Sequence, residues 1–355
     1  MSSIFNSHSP FRIFWFSVLA TLATLVGVAF GLGLNALFIA VILIVVEITF
    51  SFENAVINAK ILAKMSRFWQ NIFLTIGIVI AIFGMRIIFP IVIVMITTGF
   101  GFGSVVDLAF NNPEEYSKAL AHAHPDIAAF GGAFLLMLAL HFFFDATREV
   151  LWFTRLEKWF QRNATSWAPA VISLIVIAIL SVLPFNEHHF NTFIAGSIGI
   201  ATFLALHVII QLFEKLKNNS DKRMAKHTPG HKALKQTGMI AFTSFIYLEI
   251  LDASFSFDSV VGAFAITTDV LLIALGLGVG AIWVRSLTIF MVRRGTLHSY
   301  KYLEHGAHYT VFVLAAILLL GIFLHVPEVV AGGIGILFIG SAILSSRKAQ
   351  KNIQL

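Results

Sequence analysis

The sequence predicts an all-α fold: a polytopic bundle of about ten transmembrane helices with an inverted-topology repeat. Of the 355 residues, 58% are hydrophobic and only 12% are charged. Soluble domains carry about 25% charged residues, so most of this surface faces something other than water. The apolar residues also form stretches of roughly 18 to 25, a length that crosses about 30 Å of hydrocarbon.

The apolar stretches follow one another along almost the whole chain. We place ten spans near 12–31, 35–57, 70–98, 127–146, 168–184, 191–212, 237–262, 270–291, 306–325 and 328–345. The first stretch is too long for a signal peptide and lacks a convincing cleavage site, so we expect it to remain as a membrane helix. Residues 1–355 are thus expected to form a single integral membrane domain.

Within that domain, the chain divides into an extra span, two repeats and their connections. The ranges are 12–31 for the extra N-terminal span, 35–146 for repeat A, 168–212 for connecting spans, 213–236 for a basic loop, 237–325 for repeat B, and 328–355 for the last span and tail. Lys and Arg residues flank alternate loops, and seven of them lie between Lys215 and Lys235. The positive-inside rule then predicts that both termini and the basic loop are cytoplasmic.

Two segments in the predicted repeats resemble each other. They are Phe50–Val56 (FSFENAV) and Phe255–Val261 (FSFDSVV). An acid, Glu47 or Asp252, lies three positions upstream of each, so both copies read acid-x-x-x-Ser-x-acid-[Asn/Ser]. A chance match of two acids and a serine is much less common than a chance match of apolar residues.

The similarity continues into the following span of each repeat. Gly77–Arg86 and Gly276–Arg285 both place an arginine nine residues after a glycine. Spans two to four therefore correspond to spans seven to nine, and a shift of five helices reverses the direction in which each copy crosses the bilayer. Inverted repeats of this kind build secondary transporters with substrate sites near the midplane.

Acidic and polar side chains lie halfway along two spans, where an ionised carboxylate costs several kcal/mol unless it is paired, hydrated or coordinated. The candidate metal ligands are Glu47, Ser51, Glu53, Asn54, Asp252, Ser256, Asp258 and Ser259, with Glu249, His141, Asp145, Arg86 and Arg285 as candidate auxiliary residues. Ser51, Asn54 and Asn58 share the helical face of Glu47, whereas Glu53 and Asp258 are rotated by about 120° and are candidate secondary ligands or gates. Oxygen ligands suit hard or borderline divalent cations, and the absence of cysteine argues against a soft-metal site.

The two intramembrane arginines allow a second interpretation of the same acids. Arg86 and Arg285 could neutralise them as buried ion pairs that lock the repeats together. The acids of the motif region outnumber these arginines, which favours a bound cation or protons instead. Under a gating hypothesis, the arginines hold the carboxylates in one conformation and release them in another.

The patterns at Glu47–Asn54 and Asp252–Ser259, with the two Gly…Arg helices, resemble the TerC-like family of the LysE exporter superfamily. The resemblance covers most of the chain from about residue 35 onward. It implies cation handling, with manganese efflux as the family activity, in a bacterial inner membrane. Carried over residue by residue, it implies metal binding by Glu47, Glu53, Asn54, Asp252, Asp258 and Ser259.

The chain departs from the commoner members of that family in three respects. It has the extra first span, it has Glu53 where aspartate is usual, and it carries the pairs His141/Asp145 and His305/His308. These departures indicate a divergent subgroup. The resemblance therefore supports the class of transporter more strongly than it supports the identity of the transported ion.

Together these features predict a transporter rather than an enzyme. We expect it to export divalent cations, manganese first and calcium or magnesium next, by alternating access, with no permanently bound cofactor. Membrane lipids and divalent ions are the expected partners, nucleic acid is not, and homo-oligomerisation stays open. The alternatives are an exporter of small organic solutes such as amino acids and a non-transporting scaffold in metal homeostasis.

Overall fold

A computed structural model describes residues 10–184, 186, 188–225, 236–267, 269–295, 300–324 and 328–351. Within these ranges the chain is almost entirely helical and contains no strand, apart from one isolated bridge between Met65 and Gln236. The predicted all-α fold class is therefore confirmed for the described part of the chain.

The helices follow the apolar segments in chain order. They are α1 (Pro10–Gly31), α2 (Leu34–Phe50), α3 (Phe52–Lys64), α4 (Arg67–Val79), a π-helical segment (Ile80–Ile88), α5 (Phe89–Thr98), α6 (Phe102–Asn111), α7 (Pro113–Phe143), α8 (Thr154–Arg162), α9 (Ala168–Val182), α10 (His189–Ala225), α11 (Gly238–Ile266), α12 (Val270–Arg294), α13 (Leu303–Gly321) and α14 (Glu328–Lys351).

Seven stretches of the described helices are long and apolar enough to cross a membrane, and the bent pair α2–α3 adds an eighth. The seven are Ile13–Gly31, Arg67–Val92, Pro113–Phe143, His189–Leu212, Gly238–Ser256, Val270–Arg294 and Leu303–Gly321. Large apolar side chains such as Phe30 and Leu34 expose 90% and 77% of their surface. A soluble monomer rarely exposes so much contiguous apolar surface, so these residues face lipid and the chain is a polytopic membrane protein.

Every one of the ten predicted spans coincides with a helix. Eight of them correspond to the seven long stretches and the bent pair. The other two coincide with α9, a shorter apolar helix of 15 residues, and with α14. Length and composition therefore support seven or eight spans, and the count of ten stays a prediction.

The predicted span 35–57 is not one straight helix. α2 ends at Phe50, α3 begins at Phe52, and the two axes are bent by 49°. At the break, the Ser51 hydroxyl donates a hydrogen bond to Glu47 Oε1 at 3.3 Å, and the Ser51 amide still donates to the Glu47 carbonyl at 3.0 Å. Serine side chains that bond locally compete with helix continuation, which explains why the motif interrupts the helix.

The predicted span 70–98 contains a stretch of wider helix. The π-helical segment Ile80–Ile88 lies between α4 and α5, and Pro90 follows it directly. Proline has no amide hydrogen, so the carbonyl group one turn before Pro90 lacks its usual helical donor. Arg86, inside the segment, donates from Nη1 to the Ala81 carbonyl oxygen at 2.6 Å. π-Helical stretches are often found at functional sites.

Two helices continue beyond the predicted spans into segments that we expected to be loops. The span expected at 127–146 begins at Pro113, with Glu114 and Glu115 in its first turn. Proline at the first position and acids near the positive end of the helix dipole are favourable helix-start signals. Likewise, α10 continues to Ala225, so much of the basic loop expected at 213–236 is helical, and residues 226–235 lie outside the described part.

Helix α7 lies at the centre of the bundle and packs against α10, α11 and α13. Small residues allow the close approach of these helices. A Cβ atom on Gly199 of α10 would overlap the backbone carbonyl of Phe130 in α7, and one on Gly132 of α7 would lie 2.8 Å from Leu319 Cγ in α13. Close packing through glycine is typical of helices in membranes.

The short helix α8 is attached to the bundle through one fully buried carboxylate. Glu157 Oε1 accepts hydrogen bonds from the Phe153 amide at 3.1 Å and from the Tyr309 hydroxyl at 3.2 Å. Its Oε2 atom lies 3.3 Å from both Arg148 Nη1 and His305 Nε2. We call these side chains the Glu157 cluster; it joins α8 and the segment after α7 to α13.

Replacing Gly199 by alanine is expected to destabilise the fold by about 1–3 kcal/mol, because the added methyl group meets the Phe130 backbone, which a side-chain rotation cannot move away. Thermal unfolding of the purified protein in detergent measures the change. The control is Gly27→Ala in α1, where an added Cβ meets no atom within 4 Å. Equal melting temperatures for the two variants would contradict this packing.

The Glu157 cluster is expected to make stability depend on pH. Burial raises the pKa of Glu157, but the hydrogen bond and charge of His305, the Phe153 amide and Arg148 lower it more, so the pKa lies below its ordinary value. A carboxylate whose pKa is lowered stabilises the fold above its unfolded pKa, about 4.3, and loses this contribution as the pH falls through the folded value.

Glu157→Gln should therefore be less stable than the wild type at pH 7, and the difference should shrink as the pH falls below about 4.3. Unfolding midpoints measured between neutral and acidic pH in one detergent provide the comparison. Glu114→Gln, at an exposed position of α7, is the control. A stability difference that is constant over this range would show that the charge of Glu157 does not contribute.

Candidate functional site

The first of two buried ion-pair clusters surrounds Arg86, at the junction of α2, the π-helical segment and α12. Arg86 Nη2 donates to Glu47 Oε1, and the Ser51 hydroxyl donates to the same oxygen. The Glu47 and Arg86 side chains are 1% and 2% exposed. Neither charge reaches water in this conformation, so each depends on the other for neutralisation.

The second cluster surrounds Arg285 of α12. Its two terminal nitrogens bind both carboxylate oxygens of Glu249 at 3.0 Å, and Nη2 also donates to Asp252 Oδ2 at 3.1 Å. Nη1 donates further to the Phe73 carbonyl oxygen at 3.2 Å, and the guanidinium group lies 4.3 Å from the centre of the Phe73 ring. The forked geometry of arginine matches a carboxylate with two parallel hydrogen bonds.

Among the described side chains, one hydrogen bond connects the two predicted repeats at their shared motif. Asn54 Nδ2, in α3, donates to Asp252 Oδ1 of α11 at 2.7 Å. Asp252 thereby engages one oxygen with Asn54 and the other with Arg285. The corresponding acids of the two copies, Glu47 and Asp252, are each bound by the arginine of their own repeat.

Two glycines make room for these charged side chains. A Cβ atom on Gly280 would lie 2.5 Å from Cβ and Cγ of Glu47. A Cβ atom on Gly77 would overlap Nη1 of Arg285 and would lie 2.9 Å from Glu249 Oε1. Each glycine belongs to one predicted repeat and faces a charged side chain of the other, so both are required for the close approach of the two halves.

Three buried oxygen atoms of α2 and α3 have no hydrogen-bond partner among the described residues. They are Glu47 Oε2, Asn54 Oδ1 and Asn58 Oδ1. All three are acceptors, and their residues are at most 2% exposed. A buried acceptor without a partner costs about 1–3 kcal/mol, and native structures keep such groups rare. We call these atoms the unpaired oxygens; each is an acceptor that a cation or a hydrogen-bond donor could satisfy.

Carboxylates outnumber arginines in this region. Glu47, Glu249 and Asp252 face only two guanidinium groups. Glu53 is a further buried acid, 5% exposed, with Oε2 about 3.6 Å from where a Cβ of Gly335 in α14 would lie. With all groups ionised, the region carries excess negative charge, which favours an additional cation in a low-dielectric interior.

The remaining sequence-predicted ligands of repeat B lie on α11. Ser256 and Ser259 are buried there, and the side chain of Asp258 lies outside the described part of the chain. Among the described residues, no three His, Asp or Glu side chains already have the spacing of a metal site. The described acids are therefore held mainly by arginines and amides in this conformation.

The two other auxiliary candidates lie near the end of α7 and have other partners. The exposed His141 ring packs 4.1 Å from the ring of His207 in α10. The Asp145 carboxylate accepts hydrogen bonds from the amide and hydroxyl of Thr147 at 2.9 and 2.6 Å. These contacts connect His141 to α10 and Asp145 to a local turn, away from the arginine clusters.

Removing one partner of the first ion pair is expected to be costly. Glu47→Gln or Arg86→Gln alone should destabilise the fold by about 3–5 kcal/mol, because each leaves an unmatched charge in the interior. The double variant should lose much less than the sum of the single losses. Unfolding in detergent of the wild type and the three variants measures this coupling. Additive losses would show that the pair does not act as a unit.

The comparisons with known proteins agree with this architecture at the level of a family. Residues 52–353 match the family described as "Protein of unknown function (DUF475)". The match begins directly after Ser51 and includes Arg86, Asp252 and Arg285. No curated protein and no solved structure matches the chain. Because the match covers most of the sequence, this membrane protein belongs to the DUF475 family.

Proposed function

We propose that this protein is a transporter that exports divalent metal cations, manganese first, by alternating access around Glu47 and Asp252. The main observation is the set of unpaired oxygens along α2 and α3, one of which belongs to the arginine-held carboxylate of Glu47. Glu47 Oε2, Asn54 Oδ1 and Asn58 Oδ1 are buried and have no described donor, and Asn54 also forms the contact between the predicted repeats. Carboxylate and carboxamide oxygens are the ligands that Mg²⁺, Ca²⁺ and Mn²⁺ prefer.

The arginines supply the positive charge that an ion-free site requires. While Arg86 holds Glu47 and Arg285 holds Asp252, both acids stay neutralised without an ion. A divalent cation that reaches the unpaired oxygens competes with Arg86 for Glu47, and the release of the arginine can then accompany a change of conformation. The exchange keeps Glu47 neutralised, and the freed Arg86 guanidinium then requires a new partner or water, which the change of conformation would supply.

The backbone offers elements that can change shape. The break at Ser51 lies one turn after Glu47, and the π-helical segment holds Arg86, so the partners of the first ion pair lie beside and within irregular backbone. In transporters with inverted repeats, interrupted helices form the ion sites near the midplane. A bend at these interruptions would change the distance between Glu47 and Arg86.

The resemblance to the TerC-like family supports manganese as the ion and export as the direction. The same resemblance favours a bacterial inner membrane. The termini are expected to be cytoplasmic because Lys and Arg flank alternate loops. Coupling to protons or to an ion gradient would supply the driving force, with the carboxylates exchanging a proton for the metal.

A second candidate function is the export of amino acids or similar solutes. The observation that favours it is the presence of buried carboxylate oxygens and arginine forks side by side, around Glu249, Asp252 and Arg285. Carboxylates bind an ammonium group and a guanidinium binds a carboxylate, so the site offers groups for both ends of an amino acid.

Mn²⁺ uptake into inside-out proteoliposomes tests the proposal. Asn58→Ala removes one unpaired oxygen without touching an ion pair, and should lower the uptake efficiency about tenfold or more, the equivalent of about 1.4 kcal/mol of lost ion binding. The control is Ser173→Ala in α9, which removes an equally buried and unpartnered oxygen elsewhere. It should leave uptake unchanged.

Competition separates the two candidate functions. For a metal exporter, Ca²⁺ and Mg²⁺ compete with Mn²⁺ and lysine does not. Inhibition by lysine together with lysine uptake would favour the organic-solute exporter. Absence of any metal uptake by folded wild-type protein, or equal loss in both variants, would contradict the proposed site.

A further inference from the structure

The helix α8 has an inner face that fixes its orientation on the bundle. Glu157, at the centre of that face, is fully buried in the Glu157 cluster. Phe160 stacks on Phe143 of α7 with ring centres 5.6 Å apart, and Gln161 donates to the Arg148 carbonyl oxygen at 3.0 Å. These contacts fix the rotation of α8 about its own axis. The side chains on the opposite face of α8 therefore point away from the bundle.

That outer face combines basic and aromatic side chains. At about 100° per residue, Arg155, Lys158, Trp159 and Arg162 fall within one sector of about 100°, roughly opposite Glu157. All four side chains are exposed. A helix of this short length therefore carries three closely spaced positive charges and an indole ring on a single side.

The position of α8 in the chain places it at a membrane surface. The apolar helix α7 ends at Phe143 and the apolar helix α9 begins at Ala168, so the connection between them lies where both leave the bilayer. Trp167, at the start of α9, is exposed, as is typical of tryptophan at the level of lipid headgroups. Helices with Lys and Arg on one face and Trp and Leu nearby lie in this interfacial region.

We propose that the outer face of α8 is a binding site for anionic phospholipid headgroups, with Arg155, Lys158 and Arg162 contacting phosphate and Trp159 anchored among the headgroups. Arginine binds phosphate with two parallel hydrogen bonds, and lysine adds a compact charge. Basic residues near an anionic membrane surface each contribute roughly a fivefold preference for it. The proposal is independent of the transported substrate.

A bound headgroup would connect the bilayer to the bundle. The inner face of α8 contacts α13 through Tyr309 and His305, and the outer face would contact lipid. Anionic lipid should therefore stabilise the attachment of α8, and the stabilisation should depend on the same basic residues that select the lipid.

Lipid retention by the purified full-length protein tests the site. The protein is exchanged between nanodiscs of phosphatidylcholine and nanodiscs that also contain phosphatidylglycerol, and co-purified lipid is quantified by native mass spectrometry. The triple variant R155Q/K158Q/R162Q should lose the preference for phosphatidylglycerol by about tenfold or more. The control variant K301Q/R347Q/K348Q removes the same charge from exposed positions outside α8 and should retain the preference for phosphatidylglycerol.

Two results would contradict the headgroup site on α8. One is an equal loss of the preference for phosphatidylglycerol in the two triple variants, and the other is the absence of that preference in the wild type. Displacement of the lipid by inorganic phosphate at matched ionic strength would indicate a site for free phosphate and would also overturn it. If the triple variant does not fold, photoactivatable phosphatidylglycerol is cross-linked to the wild type: labelling within residues 153–167 supports the site, and labelling confined to other segments contradicts it.

Discussion

Neutralisation of carboxylates inside an apolar bundle is the constraint on which the rest of the structure depends. Glu47, Glu249 and Asp252 are buried at the centre of helices that face lipid on their outer sides. Two arginines hold them, and small residues at Gly77 and Gly280 allow the helices to approach closely enough for this pairing. The cost of burying an unpaired charge explains why these positions carry their particular residue types.

The two predicted repeats share a motif but differ in their backbone. In repeat A the motif helix is broken at Ser51, and the following span contains the π-helical segment with Arg86. In repeat B both α11 and α12 run without interruption past Asp252 and Arg285. Among the described side chains, Arg285 holds two carboxylates and Arg86 holds one, and the unpaired oxygens lie in repeat A.

Composition and motif spacing predicted the class of fold and the acids that meet the arginines. The pairing of Glu47, Glu249 and Asp252 with arginines is close to the ion-pair interpretation, and the surplus of acids is also present. The break at Ser51 and the start of α7 at Pro113 could not be predicted from hydropathy, since the first depends on a local hydrogen bond and the second on a proline and acids outside the apolar stretch. Glu157 was missed because an acid in a basic loop gives no periodic signal, and the partnership of His141 with His207 depends on how α7 and α10 pack.

In the proposed cycle, a cation takes the place of Arg86 at Glu47. A structure determined by electron cryo-microscopy in nanodiscs with Mn²⁺ tests this exchange. Ion density is expected within about 2.0–2.6 Å of oxygens of Glu47 and Asn54, with the Arg86 guanidinium displaced from Glu47. Density that shows Arg86 still bound to Glu47 and no ion among these oxygens, in a preparation that transports Mn²⁺, would contradict it.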